Sequence, residues 1–261
     1  MKLGVVTTSY PRFAGDPAGN FVAGHVGALR ALGHDVEIIA AGDAGTPARA
    51  IPGELRVGGA RLFYRGGAPD ALERAPLGAG VAAALFTARL TAAVAARARR
   101  WDAIIAHWLV PSAIAALPAA PPLVAIAHGG DVFTLRRFHL LHPVLRALRR
   151  RGARLVFVGE HLRAIARDAA PALAPWLDRA IIQPMGLELG RFAALARAPS
   201  DPPVVLVVAR LVPIKGVDVA IAAIPHVRRA VRLVIAGDGP ERARLARAAG
   251  PPCLRLLVSP S

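Results

Sequence analysis

The feature that most constrains the fold is an alternation, along most of the chain, of short apolar segments with longer segments of helical character. Lys2–Thr8 and Asp35–Ala41 have the length of strands, whereas Val81–Arg100 has the length of a long helix. Strands that are apolar at nearly every position are typical of parallel sheets covered by helices on both faces. The alternation therefore predicts an α/β protein with doubly wound parallel sheets.

The other elements are predicted by the same rule, and they fall into two groups. In the first group, strands are predicted at Ala103–His107, Leu123–His128, Arg154–Val158 and Ala180–Gln183, with one or two more in Leu55–Tyr64, and helices at Asn20–Gly33 (capped by Asn20), Pro143–Arg151 and His161–Ala169. In the second, strands are predicted at Val204–Ala209, Val231–Ala236 and Leu254–Val258, and helices at Val217–Arg229 and Glu241–Ala249. We therefore predict an N-terminal domain (1–192), a linker (193–203) and a partial C-terminal domain (204–261).

The formal net charge of +16 predicts attraction to anions, such as phosphorylated small molecules, acidic lipid headgroups or nucleic acid. The alternative is an arginine-rich surface with no anionic partner. Aromatic residues make up only 5% of the chain and no stacking motif is visible, which argues against nucleic acid. The single cysteine, Cys253, rules out an internal disulfide and fits a reducing compartment.

Residues 103–127 carry no formal charge and are long enough to span a bilayer. Prolines interrupt this stretch at positions 111, 118, 121 and 122. Because proline breaks the hydrogen bonding that a spanning helix needs, the stretch is predicted to form strand, short helix and strand.

A glycine-bearing loop, Ser9–Gly19, follows the first predicted strand. Such a loop can offer backbone N–H groups to an anion, and Gly15 lets a ligand approach the backbone closely. An ordinary turn is the alternative.

Neither of the common nucleotide-binding motifs is present. The loop matches neither the Walker pattern nor G-x-G-x-x-G. Gly78–Ala83 matches G-x-G-x-x-A, but no apolar strand precedes it, so NAD binding is rejected.

Polar side chains follow two more predicted strands. His128 and Asp131 lie in a His-Gly-Gly-Asp motif, where a histidine can donate to a sugar hydroxyl or help stabilise a cationic transition state. Arg210 and Lys215 suit a diphosphate, because a guanidinium grips two oxygens and an ammonium is a compact charge. Lys215 is one of only two lysines in the chain. A structural histidine and a chance lysine remain the alternatives.

These motifs, in this order, resemble those of family 4 glycosyltransferases, which are retaining enzymes of the GT-B fold, two Rossmann-like domains in tandem. The resemblance covers nearly the whole chain, and its most specific part is RLVPIKG followed by AGDGP. The segments that carry it are SYPRFAGDPAGNFV (9–22), GHDV (33–36), AHWLVP (106–111), HGGDV (128–132), PMGLELGRF (184–192), RLVPIKGVDV (210–219) and LVIAGDGPER (233–242).

The resemblance implies an acceptor-binding N-terminal domain and a nucleotide-diphospho-sugar as co-substrate, with no resident cofactor. No D-x-D pair occurs, so basic groups instead of a metal ion are expected to neutralise the leaving diphosphate. The implied site residues are His128, which contacts the transferred sugar, and Asp131, which supports its loop; Gly15, Arg210 and Lys215, which bind the donor diphosphate; and Gly237 and Gly239, in a donor loop that is otherwise an ordinary turn.

The sequence departs from the family pattern at three places. Ala209 and Gly159 stand where glycine and serine are usual, and both changes are tolerable. The family continues with an E-x7-E segment that holds the sugar and the ribose, and this sequence does not contain it. We therefore expect a truncated chain, and an inactive remnant or a non-catalytic binding module of the same fold is the alternative to an active transferase.

The segment around Pro143–Arg151 is strongly basic. Helical spacing places Phe138, Leu141, Leu145 and Leu148 opposite His139, His142, Arg146 and Arg149. This pattern predicts peripheral contact with anionic lipid, which suits a lipid-linked or envelope acceptor. We expect a cytoplasmic protein that makes this contact at the inner face of the membrane. A core-packed helix with a solvated basic face is the alternative.

Overall fold

The computed structural model describes residues 1–42, 53–58, 61–64, 76–191, 200–249 and 254–257. The chain divides into two units, Met1–Leu189 and Gly190–Ser261. Most of the predicted linker at 193–203 lies outside the described residues, so its bounds stay a prediction.

The first unit is built on a seven-stranded parallel sheet. Its strands are β1 (Lys2–Thr7), β2 (Asp35–Ala41), β3 (Glu54–Val57), β4 (Ala103–His107), β5 (Leu123–Ala127), β6 (Arg154–Phe157) and β7 (Ile181–Ile182). Their order is β3-β2-β1-β4-β5-β6-β7, so the strand order reverses between β1 and β4. In open α/β sheets, ligands bind at the carboxyl ends of the strands beside such a reversal. The loops after β1 and β4 meet this condition, and the loop after β5 follows the next strand of the sheet.

Helices cover both faces of this sheet. They are α1 (Asn20–Ala31), α2 (Arg61–Tyr64), α3 (Pro76–Ala95), α4 (Ile114–Ala116), α5 (Gly130–Arg137), α6 (Leu141–Arg150), α7 (Glu160–Ala169) and α8 (Ala174–Leu177). One core packs Val5 of β1 against Val22 and Val26 of α1. The larger core, on the other side, contains Val6 of β1 and Phe86 of α3. Burial of β1 on both faces explains why its sequence is apolar at nearly every position.

Three local features differ from the prediction or were not predicted. Asn20 does not cap α1, because the preceding Gly19 occupies the N-cap position with φ 65°. The segment Leu55–Tyr64 contributes one strand, the smaller number predicted, and ends in the helix α2, which was not predicted. Helix α5 was not predicted, since its Gly-Asp start and two arginines give it weak helical periodicity.

The uncharged stretch 103–127 forms strand, short helices and strand, as predicted. One helical stretch among the described residues, Gly78–Arg100, is long and apolar enough to span a membrane by length and composition. One side of this stretch packs into the larger core, where Phe86, Leu90 and Val94 are at most 1% exposed, while 22% of its apolar window as a whole is buried. The G-x-G-x-x-A match at Gly78–Ala83 lies inside α3, whereas a dinucleotide-binding turn would precede a helix.

The second unit has three described parallel strands with helices between them. The elements are β8 (Val204–Val208), α9 (Val217–Ala223), β9 (Arg232–Ala236), α10 (Arg242–Ala249) and β10 (Leu254–Leu257), and the strand order is β10-β9-β8. A small core joins Leu211, Val217, Leu233, Ile235 and Leu245.

Candidate active site

The loop after β1 is organised by a buried carboxylate. Asp16 is 5% exposed and accepts hydrogen bonds from the Arg12 backbone N–H (3.0 Å), from Arg12 Nε (2.7 Å) and from the Ala18 backbone N–H (3.0 Å). Gly15 stands at the exposed tip with φ 87°, and no atom lies within 4 Å of the place where a Cβ would stand. Its backbone is therefore open to a ligand, and the dihedral angle, not crowding, favours glycine there.

Two side chains that the sequence analysis did not select anchor this loop. Arg56 of β3 donates from Nη1 to the Tyr10 carbonyl (3.1 Å) and from Nη2 to the Pro11 carbonyl (2.5 Å). Tyr64 of α2 donates to the Ala41 carbonyl (2.9 Å), and the Arg12 guanidinium lies 4.4 Å from its ring centroid. Both come from the segment predicted as strand only, and their long sequence separation from the loop gives no local signal.

The turn after β4 is strained. Trp108 has φ 72° and ψ 134°, a conformation that bulky residues rarely adopt. Its backbone N–H donates to the Ile126 carbonyl (2.9 Å), which fixes the end of the ladder between β4 and β5. Non-glycine residues keep such a conformation only where the surrounding structure holds them in it, and they cluster at functional sites.

Asp131 supplies part of that enforcement. In the first turn of α5, its Oδ2 accepts the Leu109 N–H (2.7 Å) and its Oδ1 accepts the N–H groups of His128 (3.1 Å), Gly129 (3.0 Å) and Val132 (3.0 Å). Burial raises the pKa of Asp131, and these backbone donors oppose the rise. One carboxylate thus ties the loop after β4 to the loop after β5, which places Asp131 beneath the His128 loop.

His128 is the end of a chain of three histidines. His25 Nδ1, on α1, lies 3.1 Å from His107 Nε2, and His107 Nδ1 lies 3.0 Å from His128 Nε2. His107 is fully buried at the end of β4, whereas the other two are partly buried. Burial lowers the pKa of all three, that of His128 to about 4. The imidazoles are therefore neutral at neutral pH.

Aromatic rings enclose His128. Its ring centroid lies 4.8 Å from that of Trp108 and 5.1 Å from that of Phe21. The contact with His107 uses Nε2 of His128, so Nδ1 is the His128 ring nitrogen that lies outside the row of three histidines. A neutral imidazole held this way can exchange a hydrogen bond with a hydroxyl group and does not repel a developing positive charge.

In the second unit, Arg210 and Lys215 are both exposed between β8 and α9. Arg210 directly precedes the buried Leu211, and Lys215 ends a short turn before Gly216, which has φ 59°. The segment thus presents two cationic side chains from a backbone anchored in the small core.

Gly237 and Gly239 allow two backbone segments of the second unit to meet. A Cβ on Gly237 would collide with the Ala209 carbonyl oxygen, and one on Gly239 with that of Leu211. Hydrogen bonds from Ala209 N–H to the Ala236 carbonyl (3.1 Å) and from Leu211 N–H to the Asp238 carbonyl (2.8 Å) hold the segments together. These glycines therefore place the loop after β9 beside Arg210.

The selected residues fall into two sets, one in each unit. The first set, in the first unit, comprises Gly15 and His128 in loops and Asp131 in the first turn of α5. The second set, in the second unit, comprises Arg210, Lys215, Gly237 and Gly239. In the described part of the chain, no three His, Cys, Asp or Glu side chains form a group that could hold a metal ion.

Solved structures with the same fold include glycosyltransferases. The Anabaena protein HepE in complex with UDP and glucose is 18% identical, with a TM-score of 0.64 over 100% of this chain and 70% of that one. The catalytic domain of starch synthase IV from Arabidopsis thaliana, bound to ADP and acarbose, is 15% identical, with a TM-score of 0.63 over 100% and 74%. The α,α-trehalose 6-phosphate synthase from Burkholderia multivorans is 18% identical, with a TM-score of 0.64 over 100% of this chain and 74% of that one. These similarities confirm the predicted α/β, GT-B-like fold.

No curated protein is significantly similar to the chain in sequence. Two protein families do match it. Residues 194–250 match the family described as glycosyl transferases group 1, and residues 18–175, more than half of the chain, match the family described as Glycosyltransferase Family 4. The chain belongs to glycosyltransferase family 4, and it carries a group 1 glycosyltransferase segment in its second unit.

Proposed function

We propose that the protein transfers a sugar from a nucleotide-diphospho-sugar to an acceptor with retention of the anomeric configuration. The observation that carries this proposal is the neutral His128, which packs against two aromatic rings at the carboxyl end of β5, one strand away from the reversal of the strand order. A sugar at this place would meet a hydrogen-bonding nitrogen and apolar ring faces. The complex of HepE with UDP and glucose supports a donor of this class.

The first unit contributes His128 to the transferred sugar and the exposed Gly15 backbone to the donor phosphates. Asp131 positions the His128 loop through its four backbone hydrogen bonds. Because the imidazole is uncharged, it would not repel the positive charge that develops in an oxocarbenium-like transition state.

The second unit contributes Arg210 and Lys215 to the donor diphosphate. A guanidinium and an ammonium together would neutralise much of the charge that develops on the leaving group. Gly237 and Gly239 would act through the backbone, by keeping the loop after β9 against the segment that carries Arg210.

The acceptor is proposed to be a glycan or a lipid-linked molecule, and the protein to contact the inner face of the membrane from the cytoplasm. No Asp or Glu occurs between Asp131 and Glu160. Arg146 and Arg149 are exposed on α6, and Phe138 and Leu140, just before it, are 40% and 51% exposed. Exposed apolar side chains among cations suit an anionic bilayer, because the rings and chains enter the interface while the arginines meet the headgroups.

The anomeric outcome of donor hydrolysis tests the proposed reaction, since water can replace an unknown acceptor. The 261-residue chain is incubated with α-linked UDP-, ADP-, GDP- and dTDP-sugars, and one-dimensional ¹H NMR follows the anomeric proton of the released sugar. We expect one donor to give the α-anomer first, before mutarotation. Initial release of the β-anomer would contradict retention, and binding of a donor without any release would favour the non-catalytic binding module.

A further inference from the structure

We infer that His25, His107 and His128 form a tautomer-coupled chain, in which His25 and His107 decide which ring nitrogen of His128 carries the proton. His25 and His107 are then positioning residues that act through His128. Their sequence positions give no hint of this, because the three histidines come from α1, the end of β4 and the loop after β5.

The geometry of the two contacts supports hydrogen bonds along the ring nitrogens. The N···N distances of 3.1 and 3.0 Å go with ring-centroid distances of 5.2 and 5.1 Å. These values are those of two five-membered rings in contact through their nitrogens, with the N···N line pointing toward the centre of each ring. For His107 and His128 the centroid distance is close to the N···N distance plus the two centroid-to-nitrogen distances, so this contact lies near both ring planes, which are 19° apart.

The pairing of atoms leaves only two protonation patterns. A neutral imidazole has one donor nitrogen and one acceptor nitrogen, and each contact joins Nδ1 of one ring to Nε2 of the next. If His25 donates from Nδ1, then His107 must donate from its own Nδ1, and His128 must carry its proton on Nδ1. The opposite direction puts the proton on Nε2 of all three rings. The three histidines therefore share one tautomer.

Burial and mutual repulsion keep the chain neutral, which the pairing rule requires. Desolvation is the largest influence that lowers the pKa of each ring, and neighbouring histidines lower the pKa of His107 and His128 further. Since a carboxylate next to an imidazole would favour its cation, a chain made of histidines alone favours neutral rings.

The chain would give His128 a defined face toward a ligand. In one pattern Nδ1 of His128 presents an N–H donor, and in the other it presents a lone pair. Passing from the first to the second releases a proton at His128 Nδ1 and takes one up at His25 Nε2, so the chain is neutral before and after. That this face meets a sugar hydroxyl rests on the proposed function.

Ring nitrogen shifts test the chain without any substrate. Long-range ¹H–¹⁵N spectra of the full ¹⁵N-labelled protein at pH 7.5 distinguish protonated from bare ring nitrogens. We expect His25, His107 and His128 to show the same tautomer. His25→Ala should shift the tautomer population of His128, two rings away, and His25→Asn should restore it, because the amide offers a hydrogen-bonding group near the position of Nδ1. His226→Ala, at an exposed histidine of the second unit, should change neither.

Different tautomers among the three rings of the native protein would overturn the inference. An unchanged tautomer population of His128 in His25→Ala would overturn it as well. Failure of the chain and failure of the proposed function can be told apart. A shared tautomer in a protein that releases no sugar would contradict only the proposed function. Mixed tautomers in a protein that does release sugar would contradict only the histidine chain.

Discussion

Buried polar side chains fix the loops of the candidate site, and their roles are visible only in three dimensions. Asp131 was selected because of a motif, yet its four backbone hydrogen bonds include one to Leu109, far away in sequence. Asp16 and Arg56 perform similar work in the loop after β1 and were not selected. A short motif identifies where chemistry occurs, whereas the groups that hold a loop depend on which distant strand end lies next to it.

The histidine chain predicts a specific pH dependence of stability. Burial lowers the pKa of the three histidines in the folded state, so the unfolded state binds more protons below about pH 6.5. The free energy of unfolding should therefore fall as the pH drops from about 6.5 toward 4. His128 alone, with a pKa lowered to about 4, should account for about 3 kcal/mol of that loss.

Urea denaturation followed by tryptophan fluorescence measures this loss, because Trp101, Trp108 and Trp176 all lie in the first unit. His128→Gln keeps an amide near the position of Nε2 but cannot titrate, so its stability should fall less steeply between pH 6.5 and 4.5. His226→Gln, at an exposed histidine, should follow the native protein. Equal slopes for the native protein and His128→Gln would contradict the assigned burial of this ring.

At the scale of elements, apolar periodicity predicted most strands to within one or two residues, and it failed where tertiary contacts decide. The run after Leu55 has strand-like composition, but residues 61–64 form a helix whose Tyr64 reaches the loop after β1. The runs of β8 and β9 are similarly apolar, yet β9 is largely buried and β8 largely exposed. The small core of the second unit contains Leu233 and Ile235 of the central strand β9, whereas β8, at the edge of the described strands, contributes the partly buried Val207.

Two matched substitutions test this difference between neighbouring strands. Leu233→Ala in β9 removes a side chain that is 2% exposed and should destabilise the second unit by about 3 kcal/mol. Leu206→Ala in β8 removes one that is 59% exposed and should cost less than about 1 kcal/mol. Hydrogen exchange of the β9 amides measures both effects, and similar losses of protection in the two variants would contradict the exposure of β8.

At the scale of the whole molecule, part of the net charge of +16 is concentrated between Asp131 and Glu160, where seven arginines and no Asp or Glu occur. A membrane-binding surface and a solvated basic helix have the same helical spacing, so the sequence is compatible with both. The structure buries Leu141, Leu145 and Leu148 in the larger core, as a packed helix requires, and exposes Phe138 and Leu140 just before it. The exposed apolar side chains are what favour a bilayer over a merely solvated surface.

Vesicle binding tests this surface. The protein should sediment with vesicles of phosphatidylglycerol and phosphatidylcholine, and not with phosphatidylcholine alone. Replacing Arg146 and Arg149 with Gln should weaken binding about thirtyfold, since each juxtamembrane arginine contributes about 1 kcal/mol. The same change at Arg228 and Arg229, exposed in the second unit, is the matched control.

Replacing Phe138 and Leu140 with serine distinguishes binding to a bilayer from binding to other anions. The double substitution should weaken vesicle binding and leave binding of inorganic phosphate unchanged, because only a bilayer takes up the apolar side chains. Vesicle binding that survives both pairs of substitutions, or tighter binding to random oligonucleotides than to anionic vesicles, would contradict the proposed surface.

The central claim, that the chain binds a nucleotide-diphospho-sugar through its diphosphate, is tested most directly by the two lysines of the sequence. Calorimetry with the donor that the hydrolysis assay identifies compares Lys215→Ala with Lys2→Ala, which removes the only other lysine, an exposed residue of β1. Lys215→Ala should raise the dissociation constant about thirtyfold, as expected for a lost charged hydrogen bond of about 2 kcal/mol, while Lys2→Ala binds like the native protein. Unchanged donor affinity in Lys215→Ala would contradict the assignment of the diphosphate site.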